Sequence, residues 1–152
     1  MTFVMITKKT YKTGEGKYRG KDLDWRLSDP DNTRLTIIFT TGKLLERMRK
    51  SRNIHVDATY RLVWQRYPIF ICGVTSSTGT FFGSMVVLSS KEDAEAWAEV
   101  YKYLHSLNIH PKFRMSDGAK AITRGALDVF ADCEEEDCKE SVRLMCWSHV
   151  YR

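Results

Sequence analysis

The stretch Ile54-His55-Val56-Asp57-Ala58-Thr59-Tyr60-Arg61-Leu62 alternates apolar and polar residues at period two, the pattern of a β-strand with one buried face. Ile54, Val56, Ala58, Tyr60 and Leu62 share one face, and His55, Asp57, Thr59 and Arg61 the other. An acid in the middle of such a strand needs a reason, because a buried carboxylate is costly unless something pairs with it. A second acid, Asp117, closes another short apolar stretch, Phe113-Arg114-Met115-Ser116, and Gly118 follows it at once. Two acids far apart in sequence meet if their strands are neighbours in one sheet.

Outward from this stretch, the pattern predicts a strand over 54–64, a turn at Arg66-Tyr67-Pro68 and a second strand over 69–75. A tight connection at Ser76-Ser77-Thr78-Gly79 leads to a third strand over 81–88. Short connections of this kind make an antiparallel meander. Ser89-Ser90-Lys91-Glu92 has the form of a capping box, with a hydroxyl for an early helical N–H and a Glu reaching back. The helix it opens carries Ala94, Trp97, Ala98, Tyr101 and Leu104 on one stripe and ends at Asn108 and Pro111. A fourth strand spans 112–116. A second helix follows Gly118, with Ala119, Ile122, Ala126, Val129 and Phe130 on one face. Residues 132–140 form an acidic loop, and a fifth strand covers 142–146. The fourth strand returns to the sheet through a helix, which favours a parallel, right-handed crossover. Beside the first strand, it would bring Asp57 and Asp117 together.

Upstream, residues 35–39 read as a short strand, and Thr41 as the N-cap of a helix reaching Lys50, with Leu44, Leu45 and Met48 on one face. Residues 1–34 form a basic, flexible arm, interrupted by Gly14, Gly16 and Gly20 and by the turn cluster Ser28-Asp29-Pro30-Asp31-Asn32. Residues 35–152 form the domain.

The chain has 152 residues, 43% apolar and 28% charged, the balance of one ordinary globular domain. No apolar run is long enough to span a bilayer. Met1-Thr2-Phe3-Val4-Met5-Ile6-Thr7 lacks the basic start and long apolar segment of a signal peptide. Thiols are therefore expected at Cys72, Cys133, Cys138 and Cys146 rather than disulfides. Residues 1–52 hold 13 Lys and Arg against 6 Asp and Glu, a net of +7, while residues 53–152 net −2. The basic portion suits a polyanion, nucleic acid first, with solubility the plainer reason for such a balance.

The element order and the two strand acids match the ribonuclease-H-like fold: an α/β mixed sheet of three antiparallel strands, then α-β-α-β, truncated after strand five. The ordered set His55-Val56-Asp57-Ala58-Thr59-Tyr60, Pro68, Gly73-Val74-Thr75, Met115-Ser116-Asp117-Gly118 and Cys146-Trp147-Ser148-His149-Val150 resembles the Mutator-like element (MULE) transposase domain from about residue 35 onward. The resemblance implies a DDE-type DNA transposase in which three acids hold two divalent ions, Mg²⁺ or Mn²⁺. Asp57 matches the first acid and Asp117 the second. Cys146 and His149 match a Cys-x-x-His signature near the active site. The family's third acid lies on a helix beyond that signature, whereas this sequence stops at Arg152, so the expectation is a partial catalytic core that does not cleave DNA by itself. Glu134-Glu135-Glu136-Asp137 precedes strand five and reads as a solvated loop.

The resemblance also implies a nuclear location, DNA as partner, and possible self-association, with no membrane. Lys8, Lys9, Lys12, Lys17, Arg19 and Lys21 are the candidate phosphate contacts. Other readings stay open. Asp57 could be a solvated acid on an edge strand, and Asp117 a helix N-cap. Cys146 and His149 could be structural, and with Cys133 and Cys138 they offer zinc-type ligands, without C-x-x-C spacing. Tyr60, Trp64, Trp97 and Tyr101 suit a core better than a base-stacking platform. The whole chain could be a domesticated, non-catalytic DNA-binding or protein-interaction module, or a non-functional transposon relic.

Overall fold

A computed structural model describes residues 2–9, 34–60, 62–63, 67–131 and 141–146, the first segment as backbone alone. The elements in chain order are β1 (Thr2–Lys9), β2 (Arg34–Thr41), α1 (Gly42–Lys50), β3 (Asn53–Thr59), β4 (Ile69–Thr75) and β5 (Phe81–Ser89). They are followed by α2 (Ala94–Ser106), β6 (Phe113–Ser116), α3 (Lys120–Phe130) and β7 (Val142–Met145). The strands make one mixed sheet in the order β1-β2-β5-β4-β3-β6-β7.

The meander β3-β4-β5 is antiparallel, and β6 joins β3 in parallel with Asn53 opposite Phe113, Ile54 opposite Arg114 and His55 opposite Met115. β7 continues in parallel outside β6. Each parallel step is reached through a helix, as parallel pairing requires.

Three expectations change. Residues 2–9, assigned to the basic arm, form β1 and pair antiparallel with β2 along their whole length; residues 10–33 lie outside the described residues. The first meander strand stops at Thr59 rather than at residue 64. Its last paired residue faces Ile69, where β4 begins, and Tyr60 and Leu62 beyond it are exposed. The cap of α2 is not the hydroxyl of Ser89 or Ser90 but Asp93, whose carboxylate accepts from the Ala96 N–H at 3.0 Å. Ser90 Oγ instead accepts from the Leu35 N–H of β2.

Asp93 is also gripped by Arg34 in a two-pronged ion pair, one arm at 2.6 Å, and Arg34 reaches Glu95 as well. Burial pushes the Asp93 carboxyl up, but the Arg34 guanidinium and the Ala96 N–H outweigh it and hold the group below the usual carboxylate range. A carboxylate at the first turn of a helix is further favoured by the helix dipole. Thr41 caps α1 as expected, accepting from the Leu44 N–H.

The core lies between one face of the sheet and the three helices. Ile38, Val56, Phe70, Cys72, Met85 and Val87 from alternate strand positions join Leu45 and Met48 of α1, Trp97, Val100, Tyr101 and Leu104 of α2, and Ile122, Ala126 and Phe130 of α3. Trp97 stacks on Phe70 with centroids 4.2 Å apart, worth about 0.5–1.5 kcal/mol beyond the area it buries. Trp97 and Tyr101 are core residues, as expected; Tyr60 is not, and Trp64 lies outside the described residues. On the opposite sheet face the cross-strand partners Phe39 and Val86 are each 42% exposed.

Helix α3 packs on α2 at Gly125. A Cβ there would lie 2.6 Å from the Ala94 carbonyl oxygen and from Trp97 Cβ, closer than neighbouring helix backbones tolerate. Gly125→Ala gains helix propensity of about 1 kcal/mol but must separate the two helices, and overpacking costs about 1–3 kcal/mol. The expected outcome of Gly125→Ala is a net loss of stability of up to about 2 kcal/mol in urea denaturation.

Candidate functional site

The register of β3 and β6 places the acids. With Ile54 opposite Arg114 and His55 opposite Met115, the same offset carries Asp57 to the level of Asp117, one residue past the end of β6. Both therefore stand at the ends of adjacent parallel strands, where the loops leaving a sheet of this kind form a crevice.

Asp57 is exposed, and its Oδ1 accepts from the Ala58 N–H at 2.9 Å. Asp117 is half-buried, and its Oδ1 accepts from the Ala119 N–H at 2.9 Å. The cap position of α3 is Ala119, which has no capping side chain. The Asp117 carboxylate thus braces the turn into α3 without being its N-cap. The Oδ2 atoms of both aspartates make no hydrogen bond to the described residues, leaving one oxygen of each for a ligand.

Two other contacts fix the frame. Arg143 on β7 donates to the Asp117 carbonyl oxygen at 2.7 Å, so the outer strand holds the Asp117 turn by its backbone and leaves the carboxylate uncommitted. His55, two residues before Asp57 on the same strand face, shares a 2.8 Å hydrogen bond with Thr75 of β4, and burial lowers its pKa. Gly73 lies opposite His55, where a Cβ would fall 2.4 Å from the Phe81 ring, and that ring meets His55 edge-on. The Gly73-Val74-Thr75 segment thus serves as the bed and anchor of the His55 ring.

Sequence reasoning missed Glu92. The last residues of β5 pair with the first of β4, Leu88 opposite Ile69, and Ile69 faces Thr59 at the end of β3. The connection from β5 to α2 therefore leaves the sheet at the same end as Asp57 and Asp117. Glu92 is in that connection, and its Oε2 is buried with no hydrogen-bond partner. Burial pushes the Glu92 carboxyl up, and the negative charges of Asp117 and Asp57 push it further. The capping-box form of Ser89-Ser90-Lys91-Glu92 disguised it, whereas Asp93 does the capping.

Of the other expected site residues, only Cys146 and the backbone of Lys8 and Lys9 are described. Cys146 is half-buried, and its N–H donates to the Ser116 carbonyl oxygen at 2.7 Å, so it extends the β6–β7 pairing next to Asp117. His149, Cys133, Cys138, Lys12, Lys17, Arg19 and Lys21 lie outside the described residues. Lys8 and Lys9 are the last two residues of β1, in register with Leu35 and Arg34. β1 is at the far edge of the sheet from β6. Among the described residues no three His, Cys, Asp or Glu side chains stand close enough to hold an ion as they are arranged, and no helix is long and apolar enough to cross a membrane.

Comparison with protein-family models, with curated proteins and with solved structures finds no match.

The electrostatics of Glu92 carry a pH signature. Its folded carboxyl holds a proton to higher pH than the ordinary value of 4.5. Its contribution to stability is therefore complete below that value and is lost as pH rises through the raised pKa. Glu92→Gln removes this loss. Thermal melts of the metal-free chain between pH ~4 and ~7 should show the Tm difference, Glu92→Gln minus wild type, becoming more positive as pH rises.

Proposed function

We propose that the chain carries the carboxylate site of a ribonuclease-H-like, Mutator-like DNA transposase core, with Asp57 and Asp117 as ligands of Mg²⁺ or Mn²⁺. The observation that carries this reading is the parallel β3–β6 register, which levels Asp57 with Asp117 although they are far apart in the chain. The motif set quoted from the sequence supplies the family, and the antiparallel meander followed by two helix-linked parallel strands is consistent with it.

The donor set suits the ion. Mg²⁺ is a hard cation that takes carboxylate oxygens and keeps water, and both aspartates keep an oxygen uncommitted. Divalent ions held by Asp57 and Asp117 would supply activation of an attacking oxygen and stabilisation of a leaving oxygen in phosphoryl transfer. The chain's own residues hold the acids in place. The β3–β6 pairing sets their separation along the sheet, Arg143 pins the Asp117 turn, and the His55–Thr75 bond ties β3 to β4 just below Asp57. The excess of Lys and Arg in residues 1–52 would draw in the polyanionic substrate. That excess also favours a second reading, a DNA-binding module without chemistry.

A titration separates the two. Under the transposase reading the purified chain binds Mn²⁺, Asp57→Asn and Asp117→Asn each weaken it at least tenfold, and Mn²⁺ tightens binding of a labelled DNA duplex in wild type only. Salt-dependent DNA binding indifferent to Mn²⁺ and to both substitutions would leave the non-catalytic module.

A further inference from the structure

The chain has four histidines, and two of them meet away from the aspartates. His105 is in the last turn of α2, and His110 is in the turn that leads from α2 to β6. The His105 Nδ1 and the His110 Nε2 face each other at 2.9 Å, with ring centroids 5.0 Å apart. At this spacing in the chain a continuous helix would not set the two rings side by side. The helix ending does. The Asn108 N–H donates to the His105 carbonyl oxygen and the Ile109 N–H to the Leu104 carbonyl oxygen, the two bonds of a Schellman ending. Asn108 takes the left-handed backbone that this ending requires, with φ 54°, and Ile109 is buried in the core. Arg49 of α1 donates to the Leu107 carbonyl oxygen at 3.1 Å, so a second helix steadies the turn that carries His110. The Phe130 ring of α3 stands perpendicular to that of His105, with centroids 6.3 Å apart. Both imidazoles are half-buried, so solvent reaches them.

We infer that His105 and His110 form a chelating site for a borderline divalent transition cation, Ni²⁺, Cu²⁺ or Zn²⁺, separate from the aspartates. Neutral imidazole suits these ions, whereas Mg²⁺ takes oxygen. Two nitrogens bound at about 2.0–2.1 Å on adjacent corners of a square or octahedral ion lie about 2.9 Å apart, and on a tetrahedral ion about 3.3 Å. The facing ring nitrogens already have the first spacing. A small turn of each ring aims both lone pairs at one ion instead of at each other. The hydrogen shared between the facing nitrogens moves to the outer nitrogen of its ring, so each imidazole stays neutral and offers its inner lone pair. Water completes the coordination. The negative end of the α2 dipole favours a cation here. His110 precedes β6 and Asp117 follows it, so the ion sits at the other end of that strand from the carboxylates and ties the end of α2 to the entry of β6.

The test is a Ni²⁺ titration of the full chain in excess Mg²⁺, which occupies oxygen sites and leaves imidazole alone, read by calorimetry and by the rise in Tm. His105→Gln and His110→Gln should each weaken Ni²⁺ binding at least tenfold, because losing a direct ligand costs no less than disturbing the surroundings of a metal site. The double variant should be little weaker than either single one, since removing one histidine already ends chelation. In wild type, substoichiometric Ni²⁺ should broaden the NMR signals of His105 and His110 before those of His55 and His149. That reading needs no variant, and it decides the matter if the substituted chains do not fold. Unchanged Ni²⁺ affinity in the folded variants, broadening that falls first on His55 or His149, or no Ni²⁺ binding by wild type would overturn the site and leave the pair a structural hydrogen bond. None of these outcomes bears on the aspartates, which are tested by Mn²⁺ binding.

Discussion

The parallel hydrogen bonding of β3 to β6 is the constraint on which the rest of the molecule depends. Three residue pairs define it, and it fixes the level of every side chain on the two strands. A slip of one residue would turn the polar set of β3 into the core and move Asp57 away from Asp117. The register is protected because Ile54 and Val56 are buried against the helices while His55 and Asp57 are not. Hydrophobic burial, which has no interest in carboxylates, thereby aligns them. The pairing also obliges α2 to cross the sheet, and the crossing is held by the stack of Trp97 on Phe70 and by the close approach of α3 at Gly125. Most of the stabilising area is therefore on the packed side, and the strand ends are free to carry groups that oppose folding.

Much of this was legible in the sequence because it was local. The turns at Arg66-Tyr67-Pro68 and Ser76-Ser77-Thr78-Gly79 located β4 and β5, and period-3.6 stripes found α2 and α3 with their buried Trp97, Tyr101, Ile122 and Phe130. The parallel return of β6 followed from the helix that precedes it. What escaped was non-local. Thr2–Lys9 looks like the start of a basic arm until β2 is available as its partner, eight residues to eight. Tyr60 and Leu62 continue the alternation of β3, but alternation says nothing about whether a neighbouring strand is still there.

The α2 cap shows how one long-range contact displaces a local rule. Ser89, Ser90 and Glu92 satisfy the sequence pattern of a capping box, yet the helix starts at Ala94 with Asp93 as its cap. Arg34, 59 residues away on β2, makes the difference. A buried guanidinium demands a carboxylate, and Asp93 meets it while also serving the Ala96 N–H. Ser90 is drawn to β2 by the Leu35 N–H. Once Asp93 is committed, the Glu92 Oε2 is left buried without a hydrogen-bond partner among the described residues.

How the fold tolerates that placement follows from the same topology. β5 and β6 each end at the edge where the acids gather, and each is followed by a helix, so α2 and α3 both begin there. A helix N-terminus carries about half a positive charge in unsatisfied N–H groups. Asp117 already uses one such donor, the Ala119 N–H, and Asp93 uses that of Ala96. Two positive helix ends facing three carboxylates offset part of the repulsion without neutralising it. The cluster is left incompletely satisfied, with Glu92 carrying the largest share of the burden because its Oε2 is buried without a hydrogen-bond partner. Full neutralisation by an arginine would have made a stable but inert cluster, of the kind seen at Arg34 and Asp93. The nearest arginine contact, from Arg143, goes to the Asp117 carbonyl oxygen instead. Arg143 thus supports the backbone of the Asp117 turn rather than pairing with its carboxylate.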